Sequence, residues 1–262
     1  MGVINVTPDS FSDGGEFFEA GAAVAHGRRL VREGAAILDV GGESTRPGAE
    51  PVGEDEELRR VLPVVEGLAG EPARISIDTS KLAVARAAVN AGASVVNDVT
   101  AFRSAPELAG LVAAAGVDCC LMHMLGEPRT MQEDPRYDDV VSEVKAFLEE
   151  RLAFSVAEGI PEERVWLDPG IGFGKTVEHN LALLRRLDEL VALGRPVVVG
   201  TSRKSFLGKL TGGRGEDERL PGTIATNVIA FERGATVFRV HDVAPVADAL
   251  TVAAATVGSA HD

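Results

Sequence analysis

Side chains that can bind polar ligands follow short apolar runs at intervals along this chain. They are Asn5, Asp39, Asp78, Asn97 with Asp98, His123, Asp168, Lys204, and Arg239 with His241. Carboxylates and amides can bind the N–H donors and ring acceptors of a flat heterocycle, and basic side chains can bind an oxyanion. The set therefore predicts a site for a heterocycle that carries an anionic group, provided that the fold brings its members together. A helix cap or a turn residue is the alternative for each member taken alone.

Basic residues lie in three polar loops: Arg46 in GGESTRPG, Arg203 and Lys204 in TSRKS, and Arg239 and His241 in FRVHD. The chain as a whole is acidic, with a formal net charge of -14. Several cations at one site of such a chain would argue for an anionic ligand, most simply a phosphate or a diphosphate. For any single arginine, a salt bridge to an acidic residue is the alternative.

Three side chains are suited to holding the heterocycle, namely Asp78, Asn97 and Asp168. Phe173, in the segment DPGIGFGKT, can stack on its ring. A buried carboxylate without a partner is costly, and Lys204 is the candidate partner.

Two further motifs are interpreted as structural. The segment GIGFGKT resembles a phosphate-binding P-loop, but that motif needs glycine where this chain has Pro169. Cys119 and Cys120 are adjacent, which is a poor arrangement for a relaxed disulfide, and further thiol or imidazole ligands are missing nearby. We expect both cysteines to be small apolar residues of a buried strand in a reduced protein.

The elements that must position these residues follow one rhythm. Apolar runs typical of buried parallel strands begin near Gly2, Ala36, Arg74, Ser94, Val117, Arg164, Pro196 and Thr236. Stretches with helical spacing separate the runs, and several of these stretches end in glycine. Eight such units predict a single (β/α)₈ TIM barrel domain over residues 1–262, with the active site at the C-terminal ends of the strands. An open doubly wound sheet is the alternative, but it would bring together only the strand ends at its switch point.

Composition narrows the possible partners. The acidic surface disfavours nucleic acid and anionic membranes. The longest apolar runs fall well short of the roughly 18 residues that span a membrane, and the start does not resemble a signal peptide. We expect a cytoplasmic protein that acts on small molecules.

Eight segments together resemble the signature segments of the dihydropteroate synthases. In chain order they read MGVINVTPDSFSDGG, DVGGESTRPG, SIDT, VNDV, LMHM, LDPGIGFGKT, GTSRKSFLG and RVHDV. The resemblance covers essentially the whole chain. It implies a barrel enzyme of folate biosynthesis that joins 6-hydroxymethyl-7,8-dihydropterin diphosphate to p-aminobenzoate and releases 7,8-dihydropteroate and diphosphate. Many members also carry a short segment before the first strand.

The same resemblance implies roles for individual residues. Pterin contacts are implied for Asp78, Asn97, Met122, Asp168, Phe173 and Lys204. Diphosphate contacts are implied for Asn5, Thr45, Arg46, Arg239 and His241, with Mg²⁺ bound at Asn5. The p-aminobenzoate site would comprise Phe11, Pro47 and Ser205. Catalytic roles are implied for Asp13, Asp78, Lys204 and Arg239, whereas His123 receives none.

The chemistry of that family fits the residues. Departure of diphosphate leaves a methylene cation conjugated to the pterin, which the weakly nucleophilic arylamine then attacks. The first two loops would close as flaps that exclude water from the cation. A homodimer is implied by the resemblance alone. The alternatives are an inactive pterin-binding paralogue, a pterin-dependent methyltransferase and a phosphate-binding barrel enzyme of another class.

Overall fold

The computed structural model describes residues 1–7, 15–44, 49–127 and 129–257, and of residues 15–19 and 257 it describes only the backbone. Its eight strands are β1 Gly2–Asn5, β2 Ile37–Gly41, β3 Arg74–Asp78, β4 Val95–Asp98, β5 Asp118–Met122, β6 Val165–Asp168, β7 Val198–Val199 and β8 Val237–Phe238. Its α-helices are α1 Gly15–Arg32, α2 Glu54–Leu68, α3 Leu82–Asn90, α4 Glu107–Ala115, α5 Val140–Ala157, α6 Val177–Arg185, α7 Asp188–Val191, α8 Ser205–Leu210, α9 Leu220–Glu232 and α10 Val243–Val257.

The strands form a ring of parallel neighbours. Strands β1 to β6 pair in sequence order in one sheet, and β7 pairs with β8. Isolated parallel bridges join Leu167 to Val197 and Gly2 to Val240, so both ends of the six-stranded sheet connect to the β7–β8 pair. The prediction of an α/β barrel is confirmed, and each apolar run predicted as a strand contains one.

Alternation along the strands separates two apolar regions. Outward-facing residues such as Ile4, Val40 and Ile77 are fully buried against the helices in the main core. The opposite face carries a second cluster of Val95, Cys120, Trp166 and Val198. Two residues beyond Val95, Cys120 and Trp166 lie Asn97, Met122 and Asp168 of the predicted site, so the second cluster fills the barrel interior below that site.

Both cysteines are free and buried on β5, as predicted. Cys119 belongs to the main core and Cys120 to the interior cluster, because successive strand residues face opposite sides. Burial raises the pKa of both thiols above the ordinary value, which keeps them protonated and unreactive.

The glycines predicted to end helices do so. Gly34, Gly92, Gly116, Gly159 and Gly234 all have positive φ, between 65° and 116°. Glycine adopts this left-handed conformation without the steric cost that a Cβ would impose. Each of these turns sends the chain towards the next strand.

Helical spacing of Leu58, Val61, Leu62, Val65 and Leu68 predicts the buried face of α2, and the observed face is rotated slightly from it. Val61, Val64, Val65 and Leu68 are fully buried, whereas Leu62 is only half-buried. Glu57 lies on the same buried face, one turn before Val61.

Within the described parts of the chain, none of the helices has the length and apolarity needed to cross a membrane.

Candidate active site

The strand register places three of the predicted site residues side by side. Asn5 pairs with Gly41, Gly41 pairs with Asp78, and Asp78 pairs with Asn97. Gly41 has no side chain, so the space between Asn5 and Asp78 stays open. A Cβ at this position would contact Cβ of Asp78 at 3.4 Å. Asn5, Asp78 and Asn97 therefore form one layer at the C-terminal ends of β1, β3 and β4.

Arg239, which follows β8, joins two carboxylates in the barrel. Its Nε donates to Asp39 Oδ2 at 2.6 Å, and its Nη2 donates to Asp78 Oδ2 at 2.8 Å. Burial lowers the pKa of Arg239, but attraction to Asp39 and Asp78 outweighs burial and raises the pKa above its ordinary value. Burial and repulsion by Asp39 raise the pKa of Asp78 to about 7, although Arg239 opposes this shift.

Asp39 is a central residue of the site, although the sequence pattern marks it only as a strand end. Its side chain is completely buried. Besides the bond from Arg239, it accepts hydrogen bonds from Asn97 Nδ2 at 3.3 and 3.4 Å. Asp39 therefore orients Arg239 and Asn97 together. An aspartate two residues before Gly41, in an otherwise apolar strand, is the signal that could have identified it.

The buried carboxylates of the site lie near cations. Arg239 donates to Asp78 directly, and the charge of Lys204, the candidate partner, lowers the pKa of Asp168. A planar guanidinium can bind two carboxylates at once, which a single ammonium group does less readily. Arg203 follows the salt-bridge alternative, because it pairs with Asp242 at 2.7 and 3.0 Å.

The other side of the site is formed by β5, β6 and the loop before α8. Met122 is the register partner of Asp168. The Lys204 ammonium lies 4.0 Å from the centroid of the Phe173 ring. Burial raises the pKa of Asp168, while the Gly170 N–H, at 2.7 Å from Oδ1, and the charge of Lys204 lower it. The structure thus brings an acid, a cation, an aromatic ring and a methionine together.

His241 follows β8 and Ser205 begins α8, so both lie at the C-terminal end of the barrel. The Ser202 hydroxyl accepts the His241 backbone N–H at 3.1 Å and lies 3.0 Å from His241 Nδ1. Ser202 therefore fixes the imidazole ring. Ser205 is the first residue of α8 and is exposed.

The Asp98 side chain points away from the site residues described above and has a structural role. Its carboxylate accepts the backbone N–H groups of Thr100 at 2.8 Å and Phe102 at 2.7 Å. These bonds hold a turn in which Ala101 and Phe102 both have positive φ. The turn-residue alternative applies to Asp98.

Five predicted residues lie outside the described parts of the chain: Phe11, Asp13, Thr45, Arg46 and Pro47. The roles that the resemblance implies for them stay predictions, and so do the individual roles of the residues placed above.

A metal ion at this site would find oxygen donors among the described residues. Those residues contain no group of three His, Cys, Asp or Glu side chains that could bind a metal ion. Mg²⁺ usually keeps several waters and binds one or two protein oxygens together with substrate phosphates. The Asn5 amide, at the mouth of the barrel, is a hard oxygen donor of that kind.

A parallel barrel with acids, an amide and cations at the C-terminal ends of its strands defines an α/β barrel enzyme for a small polar substrate. A family model described as pterin binding enzyme matches residues 1–241. A dihydropteroate synthase of Escherichia coli strain K12 is 49% identical over 262 residues, which cover 99% of this chain and 92% of that protein.

Solved structures agree with that comparison. A dihydropteroate synthase of Xanthomonas albilineans with 4-aminobenzoic acid has a TM-score of 0.93 and 50% identity, covering 98% of this chain and 92% of that one. The enzyme of the same organism in complex with 7,8-dihydropteroate has a TM-score of 0.89 and 47% identity, covering 98% and 93%. This chain therefore belongs to the pterin-binding enzymes and, among them, to the dihydropteroate synthase family of transferases.

Proposed function

We propose that this chain condenses 6-hydroxymethyl-7,8-dihydropterin diphosphate with p-aminobenzoate at the mouth of its barrel. The observation that carries the proposal is the joined group of Asp39, Asp78, Asn97 and Arg239, facing Asp168 and Lys204. Such a group offers carboxylates to a heterocycle and a cation to its anionic substituent. The solved relatives with bound 4-aminobenzoic acid and 7,8-dihydropteroate support the choice of substrates.

The pterin would lie between the two sides of the site. Asp78, Asn97 and Asp168 would pair with its N–H groups and ring acceptors, which fixes its orientation. The Phe173 ring, the Lys204 ammonium and the Met122 side chain would contact its faces. An ionised Asp78 accepts two N–H donors, so its protonation would weaken pterin binding.

The diphosphate would lie on the basic side of the mouth. Arg239 and His241 would bind it with Asn5, Thr45 and Arg46. Mg²⁺ held through Asn5 would supply neutralising charge to the diphosphate oxygens when bound. The hydrogen bond to Ser202 would hold the His241 imidazole in place.

The reaction would begin when the bond between the pterin methylene carbon and the diphosphate oxygen breaks. The electron pair leaves with the diphosphate, whose developing charge Arg239 and His241 stabilise. The pterin ring conjugates with the resulting cation, and Asp13 and Asp78 would stabilise it. The p-aminobenzoate nitrogen then donates its lone pair to the methylene carbon and loses one proton to the released diphosphate or to water. Phe11, Pro47 and Ser205 would shape the p-aminobenzoate site.

The test is incubation of the purified protein with both substrates and Mg²⁺. We expect 7,8-dihydropteroate and diphosphate in equal amounts, and a large loss of both for Arg239→Ala. Absence of product with a protein that binds the pterin would favour the inactive-paralogue alternative.

Three further expectations stay predictions: that the protein is cytoplasmic, that it forms a homodimer, and that residues 1–262 form one domain.

A further inference from the structure

The lysine of GIGFGKT and the unassigned histidine meet beneath the site. Lys175 is 3% exposed, and its ammonium lies between the loops that follow β5 and β6. Its Nζ is 2.9 Å from Nδ1 of His123, 3.0 Å from the Phe173 carbonyl oxygen and 3.4 Å from the His123 carbonyl oxygen. Burial excludes the phosphate-binding role that the P-loop resemblance would suggest.

The three acceptors match the three donors of an ammonium group. Burial, together with the charges of Lys175 and Arg103, lowers the pKa of His123 to about 3. The imidazole is therefore neutral near pH 7, and Nδ1 can accept a hydrogen bond from Lys175. Burial lowers the pKa of Lys175 to about 7, although Asp168 opposes the shift.

The two loops that Lys175 joins are already in close backbone contact. A Cβ on Gly170 would lie 1.9 Å from the His123 carbonyl oxygen, and one on Gly174 would lie 2.7 Å from that of Leu125. The Tyr137 hydroxyl also donates to the Gly174 carbonyl at 2.9 Å. The loops therefore form one packed unit, with the Lys175 ammonium inside it.

The acceptors of Lys175 belong to residues that adjoin the pterin site. Phe173, whose carbonyl it binds, carries the ring that lies against Lys204. His123 directly follows Met122, the register partner of Asp168. A shift of either backbone segment would move a side chain that faces the pterin.

We propose that Lys175 is a positioning residue for pterin binding, which fixes the Phe173 ring and the end of β5 through its hydrogen bonds to Phe173 and His123. This inference rests on the proposed function. It assigns Lys175 no contact with either substrate. Its effect is therefore expected on the pterin and not on p-aminobenzoate.

The test is a double-mutant cycle between Lys175→Met and Phe173→Leu. The pterin diphosphate Kd is measured by calorimetry without p-aminobenzoate, and circular dichroism at the assay temperature checks that each variant is folded. Loss of the hydrogen bonds that Lys175 donates predicts that Lys175→Met raises this Kd about tenfold. The KM for p-aminobenzoate should stay within about twofold, and the effects of the two substitutions should not add.

Lys209→Met, at an exposed lysine of α8, is the matched control and should leave the Kd unchanged. Lys175→Gln replaces Lys175→Met in the cycle if the latter does not fold. An unchanged Kd, an equal loss for both substrates, or additive effects would overturn the inference. Wild-type protein that binds the pterin without turnover would contradict the proposed function and leave the inference intact.

Discussion

At the scale of single residues, Asp39 controls the charge state of the site. It binds the Arg239 guanidinium and the Asn97 amide, and its charge helps to raise the pKa of Asp78. A group with a pKa near 7 changes its charge in the range in which enzymes commonly work. We therefore expect Asp39 to affect pterin binding through its neighbours.

Asp39→Asn should shift the pH dependence of pterin binding to lower pH. In the wild type, Asp78 becomes ionised as pH rises through about 7, so affinity for the pterin should rise over that range. Removal of the Asp39 charge removes a repulsion and leaves Arg239 beside Asp78, so the pKa of Asp78 should fall. Calorimetric titrations at several pH values measure the midpoint. Asp118→Asn, at the start of β5, is the control, and a midpoint unchanged in Asp39→Asn would contradict the argument.

His123→Asn should weaken the dependence of stability on acid. Because the pKa of His123 is lowered to about 3, the unfolded chain binds one more proton than the folded protein between about pH 6.5 and 3. The free energy of unfolding therefore decreases as pH falls through this window, by up to about 1.4 kcal/mol per pH unit from this histidine. Asparagine keeps an acceptor near Nδ1 but does not titrate. Urea unfolding at pH 7, 6 and 5 gives the free energy of unfolding of both proteins. The difference between the wild type and His123→Asn should change as pH falls, and a constant difference would refute the assignment.

At the scale of elements, an ion-pair network joins the loop after β2 to two helices. Lys81, just before α3, binds Glu43 in that loop and the buried Glu57 of α2. Glu43 also accepts the Val52 backbone N–H at 3.3 Å, so its carboxylate joins both ends of segment 44–51. The network fixes the base of the segment that contains the predicted residues Thr45 to Pro47.

Lys81→Met should destabilise the protein by about 3 kcal/mol, because it leaves the Glu57 carboxylate buried without its cation. Glu57 is 1% exposed, and Oε1 has no hydrogen-bond partner among the described residues. Urea unfolding measures the loss. In the double variant Lys81→Met/Glu57→Gln, which removes both charges, part of the stability should return. Equal losses in the single and double variants would show that the buried charge is not the cause.

At the scale of the whole molecule, the predicted binding residues lie at one end of the barrel and a group of partly exposed ion pairs lies at the other. The predicted site residues adjoin the C-terminal ends of the strands. At the N-terminal ends, Asp118 bonds Arg74 at 2.7 Å and lies 3.5 Å from Arg164. The apolar cluster containing Trp166 lies between the two ends. A change at the lower end should therefore leave the chemistry unaffected.

Asp118→Ala should lower stability by at most about 1 kcal/mol, because both of its ion pairs are partly exposed. The kcat and both KM values should equal those of the wild type. Thermal unfolding and steady-state assays measure the two effects separately. A loss of turnover without loss of stability would show that the two ends are coupled.

The order of strands and helices could be predicted from the sequence because it depends on local patterns. Continuous apolar runs, helical spacing and terminal glycines each act over a few residues, and together they indicated the barrel. The candidate residues could be identified as well, because each follows a strand. The buried face of α2 was predicted only in part, because the apolar spacing includes Leu62, which is half-buried, and omits Glu57, whose burial depends on its contact with Lys81.

What only the tertiary structure decided is which of these residues meet. Arg239 and Asp39 are 200 positions apart, and Lys175 and His123 are 52 apart. The contact between each pair depends on strand register and ring closure, which no local pattern specifies. Residue types and local spacing determined the elements and the inventory of chemical groups. The folded barrel alone determined that Arg239 lies between two carboxylates and that Lys175 is buried between two loops.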